Sequence, residues 1–182
     1  MEACVRQPTT GSGCHALLAY RKILFICHAN TSRSVIAEAL LNKMLVQRGL
    51  QDRHTVASGG IAPYARDGAL VSMDARLVLR EEGIDIPSDA VSTDLKHNRH
   101  LLAEADLILA MTDEQVRMLR DAFPEVTNKG VFTLKAFAGG SGDIEDPVGQ
   151  DEHVYAACRD EIKACLERVL PRLAAGRTGG RG

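Results

Sequence analysis

Residues 23–38 read ILFICHANTSRSVIAE, and three of them have types and spacing that suit chemistry. Cys27 supplies a thiol, a strong nucleophile once ionised. Arg33, six positions on, supplies a planar fork that matches two oxygens of a tetrahedral anion, and Ser34 supplies a hydroxyl able to donate to a thiolate. A thiolate beside an oxyanion clamp suits covalent attack on a phosphoryl group or a similar centre. Far along the chain, DIEDPVGQ at 143–150 sets Asp146 directly before Pro147. A carboxyl there can protonate a leaving group and later take a proton from water, while Pro147 stiffens the loop and Gly149 frees it again. Glu145 and Asp143 are the neighbouring carboxyls in the same loop. Alone, a cysteine closing a buried strand reads as a small hydrophobe and an arginine opening a helix reads as a surface charge, so placement decides.

The elements that must do the placing are legible as short apolar runs alternating with amphipathic ones. Apolar runs fall at 23–26, 54–58, 105–111 and 130–134, and helical patterns span 34–48, 68–82 (closed by Gly83), 112–122 (stopped by Pro124) and 151–173. This alternation predicts a single α/β domain with a four-stranded parallel sheet and helices on both faces. Right-handed crossovers then bring the C-terminal ends of all strands to one edge, where ligands bind in such sheets. Cys27 stands at that edge, and residues 28–33 must curl between strand and helix. Their amides, added to the positive end of the helix dipole, make an anion cradle over the sulfur and favour the thiolate over the thiol. Asn30 is among the few residue types that accept the left-handed conformation such a curl needs.

Composition narrows the alternatives. With 182 residues the chain suits one core. Lys plus Arg is 22 against 24 for Asp plus Glu, so no global basic field points to nucleic acid and any anion site is local. No apolar stretch reaches the roughly 18 residues of a membrane span, and the N-terminal residues do not read as a signal peptide. Five cysteines, an odd count without framework spacing, fit reduced thiols in a cytoplasmic protein. Residues 1–21 and 174–182 read as flexible extensions flanking a domain at 22–173.

ILFICHANTSRSVIAEALLNKML resembles the phosphate-binding loop and first helix of the low-molecular-weight protein tyrosine phosphatases, and DIEDPVGQDEHVYAACRDEIKACLERVL at 143–170 is similar to that family's acid loop and last helix. The landmarks VASGGI and DPVG extend the resemblance over about 22–173. It implies a flavodoxin-like sheet and two-step hydrolysis through a phosphocysteine. On that resemblance Cys27 is the nucleophile, Arg33 the phosphate clamp and Asp146 the general acid. His28, Ala29, Asn30, Thr31, Ser32, Arg33 and Ser34 form the phosphate-binding loop, with Asn30 and Ser34 as its organisers. The implied partners are a phosphorylated protein and phosphate or other oxyanions, with no cofactor, metal, nucleic acid or membrane, in a monomer or weak homodimer.

Departures from the family pattern carry their own expectations. Ser32 stands where many members have a second cysteine, so disulfide protection of Cys27 should be missing. Val148, Gly149 and Gln150 follow Asp146-Pro147 in place of aromatics that flank a phenol ring. Thr31 replaces the usual Ile and resembles the branch that acts on phosphoarginine, which favours phosphoarginine over phosphotyrosine. Two other readings stand beside this one: a thiol-relay arsenate reductase using Cys158 and Cys165, and an idle phosphate-binding module. GSGCHA at 11–16 fits a dinucleotide motif but precedes the first strand. His97 and His100, three apart with room to share a helical face, read as a solvated basic surface, without a metal.

Overall fold

The computed structural model describes residues 20–175; the 11–16 motif and all of the two terminal extensions but residues 20, 21, 174 and 175 lie outside them. Strand β1 (Lys22–Cys27) leads through α1 (Arg33–Gln47) to β2 (Thr55–Gly60), then α2 (Met73–Glu81) and α3 (Arg99–Glu104). Strand β3 (Leu107–Ala110), α4 (Asp113–Ala122), β4 (Gly130–Thr133), a short α5 (Leu134–Phe137) and the long α6 (Glu152–Ala174) follow. The sheet is wholly parallel with order β2-β1-β3-β4, as the alternation predicts. The chain leaves β1 toward one side and returns to pair on the other, so the end of β1 is the topological switch point.

Period-two alternation in the strands builds both layers. Ile23, Phe25, Leu107 and Leu109 face a core made with α1, α2, α5 and α6. Leu24, Ile26, Ile108 and Ala110 face a second core made with α3 and α4. Because both faces are covered, these strands read as unbroken apolar runs.

Two differences from the sequence expectation have local causes. The helix expected from Gly68 begins at Met73, since Gly68 adopts φ +83°, outside the helical region. Leu70 forms a bridge with Val91, and Ser72 caps the helix by accepting from the Ala75 amide at 3.2 Å. His97 and His100 are both exposed, but they share no helical face: α3 starts at Arg99, and His97 lies beside Asp67 and Asp94 at 3.4 and 3.5 Å. Among the described residues no group of three or more His, Cys, Asp or Glu is arranged to hold a metal ion. No helix of theirs is long and apolar enough to cross a membrane.

Candidate active site

Strand β1 ends on Cys27, and residues 28–32 curl before α1 begins at Arg33. Asn30 is the described non-glycine residue with positive φ, at 59°, and this left-handed step turns its amide back to donate to Cys27 Sγ at 3.3 Å. Ser34 Oγ lies 2.9 Å from the same sulfur. The curl fits against β2 only because Gly60 has no side chain: a Cβ there would stand 2.9 Å from the Ala29 carbonyl carbon and the His28 oxygen.

A chain of hydrogen bonds behind the curl fixes its geometry, and donor counting fixes the chain's polarity. Asn30 Oδ1 accepts from the Thr93 amide at 2.8 Å, so the amide nitrogen must face the other way. Its two hydrogens go to Ser34 Oγ at 2.9 Å and Ser58 Oγ at 2.7 Å. Each serine, having accepted, keeps its own hydrogen to give. Ser58 gives it to Glu38 Oε2 at 2.6 Å, and Ser34 can give it to the Cys27 sulfur at 2.9 Å, as it must once that sulfur is a thiolate with no hydrogen of its own. As a thiolate the sulfur therefore has two donors, the Asn30 amide and the Ser34 hydroxyl. Burial pushes the Glu38 carboxyl above the ordinary glutamate range, and the Ser58 hydrogen bond offsets part of that rise.

Arg33 is buried and its guanidinium spans the loops. Nη1 donates to the Ile144 carbonyl at 2.8 Å, and Nη2 pairs with Asp146 Oδ2 and lies 3.4 Å from His28 Nδ1. Asp146 is aimed by its own loop, with Oδ1 accepting from the Val148 amide at 3.2 Å. Thiol, guanidinium and carboxyl thus meet at one mouth of about 140 Å³, also lined by Tyr64 and Val148. Against the several hundred Å³ of ordinary small-molecule pockets, it has room for the phosphoryl end of a substrate, leaving the remainder on the rim.

Of the residues expected to bind phosphate, His28, Ala29, Thr31, Ser32 and Arg33 line this mouth. Asn30 and Ser34 are buried behind it. Sequence reasoning misses Ser58, Glu38 and Thr93 as supports, although VASGG is one of its landmarks. It also misses Tyr64 on the rim, whose only signal is a lone aromatic in the loop after β2. Cys158 and Cys165 lie buried on α6. Burial pushes the Cys158 thiol up to about 12 and raises that of Cys165. Such thiols stay protonated at neutral pH and make poor relay nucleophiles.

The family model of the low molecular weight phosphotyrosine protein phosphatases matches residues 22–178. The chain belongs to that family. A protein-arginine-phosphatase of Geobacillus stearothermophilus is 38% identical to this phosphatase over 154 residues, covering 84% of this chain and 95% of the relative. One of Bacillus subtilis is 34% identical over 156 residues, covering 85% and 98%. Among solved structures, a cysteine-to-serine mutant of YwlE arginine phosphatase with a phosphorylated active-site serine matches at TM-score 0.77 and 32% identity, covering 86% of this phosphatase and 97% of that chain. The phosphatase is a cysteine-dependent hydrolase of this family, and the thiol-relay and idle-module readings are not favoured.

Proposed function

We propose that the protein dephosphorylates protein side chains through Cys27, Arg33 and Asp146, and that its preferred substrate is phosphoarginine. The observation that carries the chemistry is the sulfur held by the Ser34 hydroxyl and the Asn30 amide at the mouth that Arg33 and Asp146 share. In the first step the Cys27 thiolate attacks phosphorus, an S–P bond forms, and the P–N bond of phosphoarginine (or the P–O bond of a phosphoester) breaks. Asp146 gives its proton to the departing nitrogen or oxygen. In the second step water attacks phosphorus and loses a proton to the Asp146 carboxylate. The S–P bond breaks, releasing inorganic phosphate and the thiolate. Arg33 and the curl amides hold the equatorial oxygens throughout, where charge is greatest.

Three features favour phosphoarginine. Thr31 lines the mouth and offers a hydroxyl and a narrow wall to the atoms next to phosphorus. Asp146 supplies a second polar group for the guanidino nitrogens. The relatives at 38% and 34% identity are named protein-arginine-phosphatases. A second reading, phosphotyrosine, is favoured by Tyr64, an exposed ring on the rim that can flank a phenol. The test compares kcat/KM for phosphoarginine and phosphotyrosine peptides in the wild type and in Thr31→Ile. A pocket that hydrogen-bonds a polar group loses much when that bond is removed, so the substitution should lower the phosphoarginine value and spare or raise the other. An unmoved ratio refutes Thr31 as the selector. The reading includes a catalytic domain at 22–173 acting in the cytoplasm without nucleic acid, as a monomer or weak homodimer, the last checked by sedimentation.

A further inference from the structure

The segment Ile61–Asp67, which carries Tyr64, has no helix or strand to hold it. Its start is tied to the phosphate-binding curl, because the Ile61 amide donates to the Cys27 and His28 carbonyls at 3.1 and 3.0 Å and the Ala62 amide to that of His28 at 3.0 Å. Its end is tied by Asp67, whose Oδ1 accepts from the Asp94 amide and from Asn98 Nδ2 at 2.7 and 2.9 Å. Between these ties the Ala65 amide closes a turn on the Ala62 carbonyl at 2.9 Å. The Lys96 ammonium then donates to the carbonyls of Ala62, Pro63 and Ala65 at 2.7, 3.2 and 3.1 Å.

An ammonium has three N–H donors, and here three carbonyls of one short turn take them. The buried Asp94 carboxylate, 1% exposed, stands 3.2 Å away as counter-ion. A lysine kept only to neutralise Asp94 would need that single contact. The three-carbonyl seat instead shapes the turn from which Tyr64 projects. Tyr64 is 69% exposed, so the backbone beneath it, more than packing around it, sets where the ring stands beside the mouth.

We infer that Lys96 is a positioning residue, a pin whose ammonium holds the 62–65 turn and thereby fixes Tyr64 for contact with substrate. The inference rests on the proposed reading of this mouth as the substrate site. Without the pin the ring must be ordered at each binding event, which weakens substrate affinity and leaves the phosphate-binding curl and the chemistry alone.

The chain contains no tryptophan, so Tyr64→Trp installs a single indole on the rim whose anisotropy needs no turnover to read. Lys96→Met in that background should lower the anisotropy and increase quenching by acrylamide. Lys96→Met alone leaves Asp94 poorly compensated, which puts folding at risk. The double variant Lys96→Met/Asp94→Asn is therefore measured beside it, together with Asp94→Asn, which keeps the three-carbonyl seat and should keep the indole signal of the parent. With Tyr64 in place, the double variant should raise KM for a phosphopeptide about three- to tenfold, the cost of immobilising one side chain. Its kcat and its inhibition by inorganic phosphate should hold within about twofold. Propylammonium added to Lys96→Ala in the Tyr64→Trp background should restore the anisotropy, and propanol should not. An unchanged indole signal in the folded double variant, or equal rescue by propanol, overturns the pin. A loosened indole with an unmoved peptide KM overturns its part in recognition, whatever the phosphatase hydrolyses.

Discussion

Asn30 combines a left-handed backbone with three side-chain hydrogen bonds, and the two contributions separate in a pair of variants. Asn30→Ala removes the donors to Ser34 and Ser58 and the acceptor of the Thr93 amide. At about 1 kcal/mol net for each bond, the loss is about 3 kcal/mol, and more where the Thr93 amide is left unpaired. Alanine at φ 59° adds about 1–2 kcal/mol of steric strain, for a total of about 4–5 kcal/mol. Asn30→Gly loses the same bonds without the strain, but its unfolded chain gains roughly 0.4–1 kcal/mol of entropy relative to alanine. The glycine variant should therefore be the more stable by about 0.5–1 kcal/mol, the reverse of the order found where backbone geometry is ordinary. Urea unfolding in phosphate-free buffer reads this directly. With a slope of about 2 kcal/mol/M the alanine midpoint should fall by about 2 M, and the glycine midpoint by a few tenths of a molar less. Both variants should also lose turnover, because the curl and Ser34 lose the bonds that hold them behind the sulfur. An alanine variant as stable as the glycine one, or a wild-type midpoint in either, would refute the argument that Asn30 is placed by its conformation and its donors.

Cys27→Ser should abolish turnover while keeping the fold and phosphate binding, and residual hydrolysis above about 1% of wild type would reject the covalent route. Asp146→Asn should lose much activity on substrates with poor leaving groups and little on an activated aryl phosphate; an equal loss on both would show that Asp146 is not the acid. Burial raises the Glu38 carboxyl, so its contribution to stability is fully present below its unfolded value near 4.5 and is lost as pH rises through the folded value. Glu38→Gln should accordingly gain on the wild type in urea midpoint as pH rises from about 4 to 8, whereas parallel curves would show that Glu38 does not titrate abnormally. Iodoacetamide at neutral pH should label Cys27 and spare Cys158, whose thiol lies up at about 12; phosphate should slow the Cys27 reaction, and equal labelling of both would contradict the assignment of nucleophile and buried thiol.

What can be read from the sequence is whatever the chain encodes locally. Cys27, Arg33 and Ser34 share one strand-to-helix junction, so their types, their spacing and the alternation of elements suffice to bring them together, and Asp146 is marked by the proline beside it. The left-handed step at Asn30 is local in the same sense, and the structure has it at φ 59°. The supports behind the curl are of another kind. Ser58 reaches Asn30 because β2 pairs with β1 in the register that sets Phe25 opposite Ser58 and Cys27 opposite Gly60, and no spacing rule along the chain expresses that register. Glu38 reads as one more polar position on an amphipathic helix until Ser58 arrives beside it. Lys96 and Tyr64 are far apart along the chain, and a lysine donating to main-chain carbonyls leaves no pattern of side-chain types to find. The boundary of α2 fails for the opposite reason: the apolar periodicity of 68–82 is real, but the φ of Gly68 and the cap at Ser72 override it. The residues proposed as nucleophile, clamp and acid are thus local features of two loops, while the groups that hold them at working distance exist only once the sheet has paired. Substitutions at Ser58, Glu38 or Lys96 should for that reason alter how well the site is held without altering which reaction it performs.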